Sequence, residues 1–506
     1  MKDAQQLVTI MQQALDNGAI YESIKREAAD ERAMSIETFV WTLEQLRLSV
    51  GGVAVGPLSN ESVTFTSVST DSRQIVPGAL YIAIKGEQFD GHEFIEEAVR
   101  QGAVAVLVSE AVETVVPGIA VDDTRIALGQ FAHWHRQQMP VKTLVGITGS
   151  NGKTTTKSLL AEMFSAIGST LATQGNLNND FGVPRTLLEL RPEHEFAVIE
   201  MGASHQGEIE YLTKLVEPDI ALINNASDSH LEGFGSLEGV IEAKGEVFLG
   251  LNRLHQNGVA VINTDSPGFA DWQAQLESLA IDKVVTFGEV SADFEGQAGP
   301  SNVVFREVTA KAGTIEFELM VDGVWQLVNM PVLGRHNAAN ATACTAVGFA
   351  AGLTWQQIKP VLEQFTGVAG RLQRHKILNG WLLDDTYNAN PGSVKAGIQA
   401  LVSLPGKVAV CLGPMAELGS QAQLAHDEIA EYANHAGVSR LYVCGEATKG
   451  MPKSFGIGAT WYKTHALMIE DVILAINQEW VSHVLVKGSR SANMEVVVKG
   501  LLEDKP

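Results

Sequence analysis

Cysteine is scarce in this 506-residue sequence. Cys344, Cys411 and Cys444 stand far apart in apolar segments, which argues against a disulfide framework or a metal cluster and fits reduced core thiols. Basic residues are also short. The 36 Lys and Arg against 59 Asp and Glu leave a formal net charge of −23, which argues against a general binder of nucleic acid or anionic membranes, since both need a basic face. An anionic ligand would have to be held by local donors. No apolar run reaches the roughly 18 to 20 residues of a membrane span. The opening "MKDAQQLVTIMQQALDNG" carries Asp3 and glutamines where a signal peptide has a basic and then an apolar region. Cytoplasmic localisation is the expectation. Internal repeats and low-complexity tracts are absent.

What is present suggests an α/β enzyme. The length predicts two to four domains of roughly 100 to 200 residues, and 48 glycines suit many tight βα turns. Residues 1–33 read as a polar helical extension without an assigned role, with Met34 as a second possible start. Residues 34–125 read as a small α/β domain, in which Phe94, Ile95, Ala98 and Val99 have helical spacing. "VDDTRIALGQFAHWHRQQM" follows as a connecting helix ended by Pro140. In residues 126–365 the strands "VKTLVGIT", "EFAVIEMG", "DIALINN" and "GVAVINTD" alternate with helices, which predicts a parallel sheet covered on both faces. Between Val284 and Met330 the alternation in runs such as "TIEFELMVDG" predicts an antiparallel patch, and an Ala-rich helix at "RHNAANATACTAVGFAAG" returns to the core. In residues 366–506, "WLLDDTY", "KVAVCLG", "RLYVCG" and "HVLVKGS" read as strands of a Rossmann-like domain whose strand C-termini are open to ligands.

"GITGSNGKTTTKSLL" has the layout of a phosphate-binding loop running from strand into helix, but it lacks one glycine of the standard G-x-x-x-x-G-K-[ST] pattern. Ile147 stands at the first position. Gly149 and Gly152 still let the backbone of Gly149, Ser150, Asn151 and Gly152 curl so that N–H groups point at a phosphate, and the helix start adds its dipole. Lys153 would reach the β and γ phosphates, Thr154 would ligate Mg²⁺ through its hydroxyl, and Thr155 continues the helix start. A Gly-rich cap with surface threonines is the plainer alternative. Glu200 ends an apolar strand, where a carboxylate is costly to bury unless it is metal-bound or ion-paired. On composition alone, His230 is an ordinary loop histidine and Lys244, with Glu242 and Glu246 beside it, a solvated helix charge.

"TGSNGKTTT", "EMGASHQGEI", "HLEGFGSLEGVIEAKGEVF", "GRHNAANATAC", "GRLQ" and "DDTYNANPGS" together resemble the Mur ligases, ATP-dependent amino-acid-adding enzymes of peptidoglycan synthesis. The likeness runs from about Met34 to the C-terminus and is closest to the D-alanyl-D-alanine-adding type. It implies an N-terminal domain for the UDP end of the substrate, a central ATPase, and a C-terminal domain that closes over the site. By resemblance, Lys153 contacts ATP phosphates, while Thr154, Glu200 and His230 belong to the Mg²⁺ sites. Lys244 matches a position carbamylated in several members, where a carbamate would be a further oxygen ligand. Asn337 and Asn340 match positions near the adenine, and Arg371 and Asp385 match residues that reach the nucleotide on closure. Without the resemblance, Arg371 could equally be a surface ion pair and Asp385 a turn cap. Ser69, Asp71, Ser72, Arg73, Asp90, Gly91 and His92 match uridine-nucleotide and muramoyl-binding segments, and Asn388 falls in the run assigned to substrate. Members of this type usually carry an aspartate where this chain has Pro414; Met415, Glu417, Leu418 and Gly419 around it are kept, but a dipeptide contact through that aspartate does not carry over to this chain.

The implied reaction joins D-alanyl-D-alanine to UDP-N-acetylmuramoyl-tripeptide through an acyl phosphate, with ATP and Mg²⁺ as cofactors, no nucleic-acid partner, and a monomer expected. Another Mur-type ligase, third-residue-adding or folate-extending, is the nearest alternative. "NANPGS" lacks the arginine of the D-N-P-R run typical of the diaminopimelate-adding type. A P-loop kinase or NTPase is the alternative from a different class.

Overall fold

The computed structural model describes residues 39–503 apart from 58–62, 87–88, 230, 252–257, 295, 297–298, 300, 312 and 379. The extension expected over 1–33 lies outside the described residues, as does His230. The chain divides into two compact units, one up to Ala127 and one from Leu128 onward.

In the first unit, β1 (Trp41–Thr42) pairs antiparallel with β3 (Thr64–Phe65). A five-stranded sheet is ordered β2 (Val53–Val55), β7 (Gly118–Ala120), β6 (Ala105–Val108), β5 (Ala79–Ile82), β4 (Ser67–Ser69). Its strands run parallel except the β2/β7 pair. Every residue of β5 and β6 is buried, which is why "ALYI" and "AVLV" are continuous rather than alternating apolar runs. The connecting helix, α1, runs Thr124–Gln138.

In the second unit, a nine-stranded sheet contains β8 (Thr143–Thr148), β9 (Thr170–Ala172), β10 (Phe196–Glu200), β11 (Ile220–Ile223), β12 (Val259–Asn263), β13 (Val284–Glu289), β14 (Asn302–Lys311), β15 (Thr314–Val321) and β16 (Val324–Met330). The order is β16-β15-β14-β13-β12-β11-β8-β10-β9. All pairs from β9 to β14 are parallel, and only β14/β15 and β15/β16 are antiparallel. The antiparallel part therefore begins later than Val284 and continues the same sheet. Alternation in β13 reflects burial on one face, and one-sided burial does not fix strand direction. The alanine-rich α5 (His336–Ala350) packs on β13, β14 and α2 (Lys153–Ser165), the helix after the phosphate loop. Its small side chains let helix and sheet approach closely around the buried Phe287, Phe305 and Phe317, each contributing roughly 1.5 to 3 kcal/mol of burial. Two further helices, α3 (Glu208–Val216) and α4 (Leu237–Gly245), flank β11 in sequence.

A second, six-stranded sheet is ordered β17 (Gln373–Ile377), β18 (Gly380–Asp385), β22 (His483–Lys487), β19 (Val408–Leu412), β20 (Arg440–Cys444), β21 (Ala459–Tyr462). It is parallel apart from β17/β18. Strands β18 and β19 lie on either side of β22, so the strand order reverses there and a ligand crevice is expected at their C-terminal ends. Helix α6 (Pro391–Val402) starts just beyond β18, with Asn390 as its N-cap and Pro391 in its first turn.

Candidate active site

The phosphate loop is held in shape by asparagines that follow β11. Ser150 N–H donates to the Asn225 carbonyl (2.9 Å) and Asn151 N–H to Asn225 Oδ1 (2.9 Å). The Asn151 carbonyl accepts from Asn224 Nδ2 (2.8 Å) and Asn225 Nδ2 (3.1 Å). Ser227 N–H donates to Ser150 Oγ (3.0 Å), and the Asn151 amide donates to Ser227 Oγ (2.8 Å). Gly149 and Gly152 have φ of +146° and +79°, a region L side chains avoid. A Cβ on Gly152 would lie 2.4 Å from Asn224 Nδ2 and 2.5 Å from Asn340 Oδ1. Lys153 folds back on the loop, donating to the Gly149 carbonyl (2.6 Å), and burial pushes its pKa down. A phosphate would offer this cation better acceptors than those carbonyls.

Glu200, at the C-terminal end of β10, is buried. Its Oε1 accepts from Asn178 Nδ2 (2.8 Å) and from the Thr154 hydroxyl (3.4 Å). Its Oε2 is buried without a hydrogen-bond partner among the described residues. A buried carboxylate oxygen left in that state is costly. Beside a threonine hydroxyl it forms the start of a hard oxygen donor set that fits Mg²⁺. Arg371, from the segment leading into β17, donates from Nη2 to the same Thr154 hydroxyl (3.2 Å), while its guanidinium stacks 3.9 Å above the Tyr387 ring and its Nε has no hydrogen-bond partner among the described residues. Behind Glu200, buried Lys157 donates to the Thr173 carbonyl (2.7 Å), and the Thr173 hydroxyl accepts Glu200 N–H (2.9 Å).

Lys244, near the end of α4, is almost fully buried, with Nζ 5.0 Å from the Phe234 ring centroid. Burial pushes its pKa down to about 7, with the Lys153 charge adding to the effect and Glu246 and Glu208 opposing it. Glu246 is engaged elsewhere, accepting Gly207 N–H (2.7 Å) and Glu210 N–H (3.0 Å) at the start of α3. On the six-stranded sheet, Asp385 pairs with buried Lys487 (2.6 Å), which also donates to the Asn388 carbonyl (2.8 Å). Asn337 and Asn340 form a chain to the loop, with Asn340 Nδ2 donating to Asn337 Oδ1 (3.0 Å) and Asn224 Nδ2 to Asn340 Oδ1 (3.0 Å).

The structure thus gathers Lys153, Thr154, Glu200 and Arg371, places Lys244 within the field of Lys153, and sets Asn340 against the loop. Asp385 and Asn388 share Lys487. Asn178, Asn224, Asn225, Ser227 and Lys487 are site residues that sequence reasoning missed. "LINNAS" runs out of an apolar strand and Lys487 ends one, the signal that had exposed Glu200, whereas "NLNND" carries no such signal.

Comparison with known proteins follows the same segments. The model of the Mur ligase middle domain matches residues 147–348, that of the Mur ligase glutamate ligase domain matches 370–490, and that of the Mur ligase family catalytic domain matches 64–136. The UDP-N-acetylmuramoyl-tripeptide–D-alanyl-D-alanine ligase of Escherichia coli K12 is 41% identical over 89% of this chain and 96% of that protein. The chain belongs to the Mur ligase family. The enzyme of the same name from Bacillus subtilis 168 is 32% identical over 91% of this Mur ligase and 98% of its own length. Among solved structures, a MurF from Acinetobacter baumannii gives a TM-score of 0.84 at 32% identity, covering 93% of this chain and 100% of that one. MurF from Thermotoga maritima in complex with ADP gives 0.75 at 27%, covering 87% and 97%. This Mur ligase is an ATP-dependent enzyme that forms a C–N bond, with the three-domain α/β fold of its family.

In the Mur ligase's first unit, two loops at the ends of β4 and β5 carry the residues matched to substrate binding. Ser69 Oγ accepts Asp71 N–H (3.1 Å), and Asp71 Oδ1 accepts Arg73 N–H (3.0 Å) and pairs with the exposed guanidinium. Ser72 is buried. Asp90 Oδ1 accepts His92 N–H (3.0 Å) and meets His92 Nδ1 (2.6 Å), while His92 Nε2 accepts Ser109 N–H (3.0 Å). His92 is therefore committed at both nitrogens and braces the loop. Asp90, His92 and Glu110 bring donor atoms within 4.8 Å of one another. Lys85, paired with both carboxylates, fills the place of a cation there. A Cβ on Gly91 would lie 2.6 Å from Ile84 N. The Tyr81 hydroxyl donates to the Gly91 carbonyl (2.9 Å), and its pKa is pushed up to about 12 by burial and by Asp71 and Asp90, so both loops lie near one phenol.

In the second unit, the loop after β19 is tied down around Pro414. Its carbonyl accepts Ser489 N–H (2.9 Å), and His426 Nε2 accepts Met415 N–H (2.9 Å).

Proposed function

We propose that this Mur ligase joins D-alanyl-D-alanine to UDP-N-acetylmuramoyl-tripeptide, converting ATP to ADP and phosphate, in the synthesis of peptidoglycan precursors. The observation that carries the reading is the hydrogen bond from Arg371 to Thr154. It brings a cation from the segment leading into the six-stranded sheet onto the phosphate loop that follows β8 of the nine-stranded sheet, as a site completed by domain closure requires and a lone P-loop kinase does not.

ATP phosphates lie on the loop N–H groups and the start of α2, and Lys153 leaves the Gly149 carbonyl to hold the β and γ phosphates. The peptide carboxylate attacks the γ phosphorus and ADP departs. Lys153 and Arg371 hold the negative charge that spreads over the transferring phosphoryl group. The amine of D-alanyl-D-alanine then attacks the acyl carbon, and the tetrahedral intermediate expels phosphate carrying one former carboxylate oxygen. No protein nucleophile takes part.

Thr154, Glu200, His230 and, as its carbamate, Lys244 would hold Mg²⁺, which neutralises phosphate charge when bound. The neutral fraction of the Lys244 amine near pH 7 is the form that adds carbon dioxide. Asn337 and Asn340 serve the adenine side, and Asp385 and Asn388 the closing face. Ser69, Asp71, Ser72, Arg73, Asp90 and Gly91 take the uridine-nucleotide end, with Arg73 able to turn its planar fork from Asp71 to a phosphate. Buried free cysteines fit the cytoplasm as the working compartment. Among the described residues no helix is long and apolar enough to cross a membrane.

Phosphate release measured with UDP-muramoyl-tripeptides and a panel of acceptor amines tests this. Full turnover should require both a tripeptide and D-alanyl-D-alanine. Equal ATPase rates with and without the dipeptide would mean an NTPase instead.

A further inference from the structure

Asn390 caps α6 with its side-chain oxygen, which accepts Ser393 N–H (2.8 Å). Its amide nitrogen does something else, donating to Asn151 Oδ1 at the tip of the phosphate loop (2.9 Å) across 239 residues of sequence. One bond fixes the sense of the pair. The Asn390 oxygen is committed to the Ser393 N–H of the helix cap, so its nitrogen must face Asn151; Asn151 therefore presents its oxygen to Asn390, and its nitrogen donates to Ser227 Oγ (2.8 Å). The first turn of α6 also comes close, since a Cβ on Gly392 would lie 3.9 Å from Asn151 Nδ2 and 4.0 Å from Ser227 Oγ.

We infer that Asn390 is a positioning residue for ligation, coupling the docking of the six-stranded sheet to the shape of the phosphate loop. The inference rests on the reading of that loop as the ATP site. The loop is held by Asn224 and Asn225, which bond its backbone, and by Ser227, which bonds the Ser150 and Asn151 side chains, all from the segment after β11, so ATP binding does not need Asn390. What needs it is the docked state, in which Arg371 reaches Thr154 and the start of α6 meets the loop. Asn390 is therefore expected to act on kcat rather than on ATP affinity.

Two replacements keep an oxygen that caps α6, so both should fold. Asn390→Ser is too short to reach Asn151 and should lower kcat about 2- to 10-fold, the worth of one neutral hydrogen bond, with the ATP dissociation constant within about 2-fold of wild type. Asn390→Asp adds a negative charge at the tip of the phosphate loop whichever way the Asn151 amide turns, and should lower kcat further than Asn390→Ser. In a double-mutant cycle, Asn390→Ser should cost much less in an Asn151→Ala background than in wild type. Unchanged kcat in folded Asn390→Ser, or kcat effects of Asn151→Ala and Asn390→Ser that simply multiply, would overturn the proposal. ATP binding that survived Lys153→Ala undiminished would instead overturn the ATP-site reading itself.

Discussion

Single residues in this protein are legible where chemistry and burial conflict. Glu200 and Lys153 stand where an apolar strand or a glycine turn makes a charge costly, and the sequence marks them for that reason. Asn178 sits in "NLNND", where a polar residue costs nothing, so its bond to Glu200 (2.8 Å) emerges only from the fold. Lys244 looked like a solvated charge and proves to be buried. Lys244→Ala should reduce activity roughly 10- to 100-fold, and short carboxylic acids should restore part of it. Absence of rescue, together with an unmodified mass for the wild-type protein, would remove the carbamate. His135 gives a pH prediction. It is fully buried with Nε2 3.0 Å from the Leu190 carbonyl, and burial, with a lesser contribution from Arg191, pushes its pKa down to about 4 against that hydrogen bond. Between about pH 4 and the unfolded value near 6.5, the unfolded chain binds the extra proton, so stability falls as pH falls through that window. The loss is on the order of 3 kcal/mol. In His135→Gln the melting temperature should decline less between pH 6.5 and 4 than in wild type.

At the scale of elements, the glycine missing from the standard phosphate-loop pattern has a structural reason. Ile147 is buried inside β8, paired with Glu200 on one side and Leu222 on the other, so the strand occupies the position where other loops have begun to turn. The turn is left to Gly149 and Gly152. Gly152→Ala should combine the cost of a left-handed backbone, about 1 to 3 kcal/mol, with displacement of Asn224 and Asn340. ATP affinity measured by titration calorimetry should then fall at least about 10-fold. Binding at wild-type affinity would show that the loop shape described here is not the one that holds ATP. Strand positions were legible in the sequence because buried parallel strands are short apolar runs. The direction of β13 was not, because alternation reports which face is covered and nothing about the neighbouring strand.

For the whole molecule, the acidic balance of −23 excluded broad anionic surfaces as partners, and the fold supplies a local exception. Lys153, Lys157, Arg371 and Lys487 come from three stretches of chain; Glu200 offsets the first two lysines, Asp385 offsets Lys487, and the Arg371 charge is felt by all three lysines. The three-part α/β organisation could be read from the order of strands and motifs. The joining of two sheets at one phosphate loop could not, since Arg371 and Thr154 are 217 residues apart and nothing local to either predicts the bond. That joining is what suits the protein to hold an activated carboxylate away from water until an amine arrives. Activation by phosphoryl transfer leaves an isotopic trace, because the oxygen that attacks the γ phosphorus departs with the phosphate. With UDP-N-acetylmuramoyl-tripeptide labelled with ¹⁸O in the reacting carboxylate, ATP and D-alanyl-D-alanine, mass spectrometry of the released phosphate should find one ¹⁸O per labelled peptide bond formed; unlabelled phosphate alongside ligated product would contradict an acyl-phosphate route.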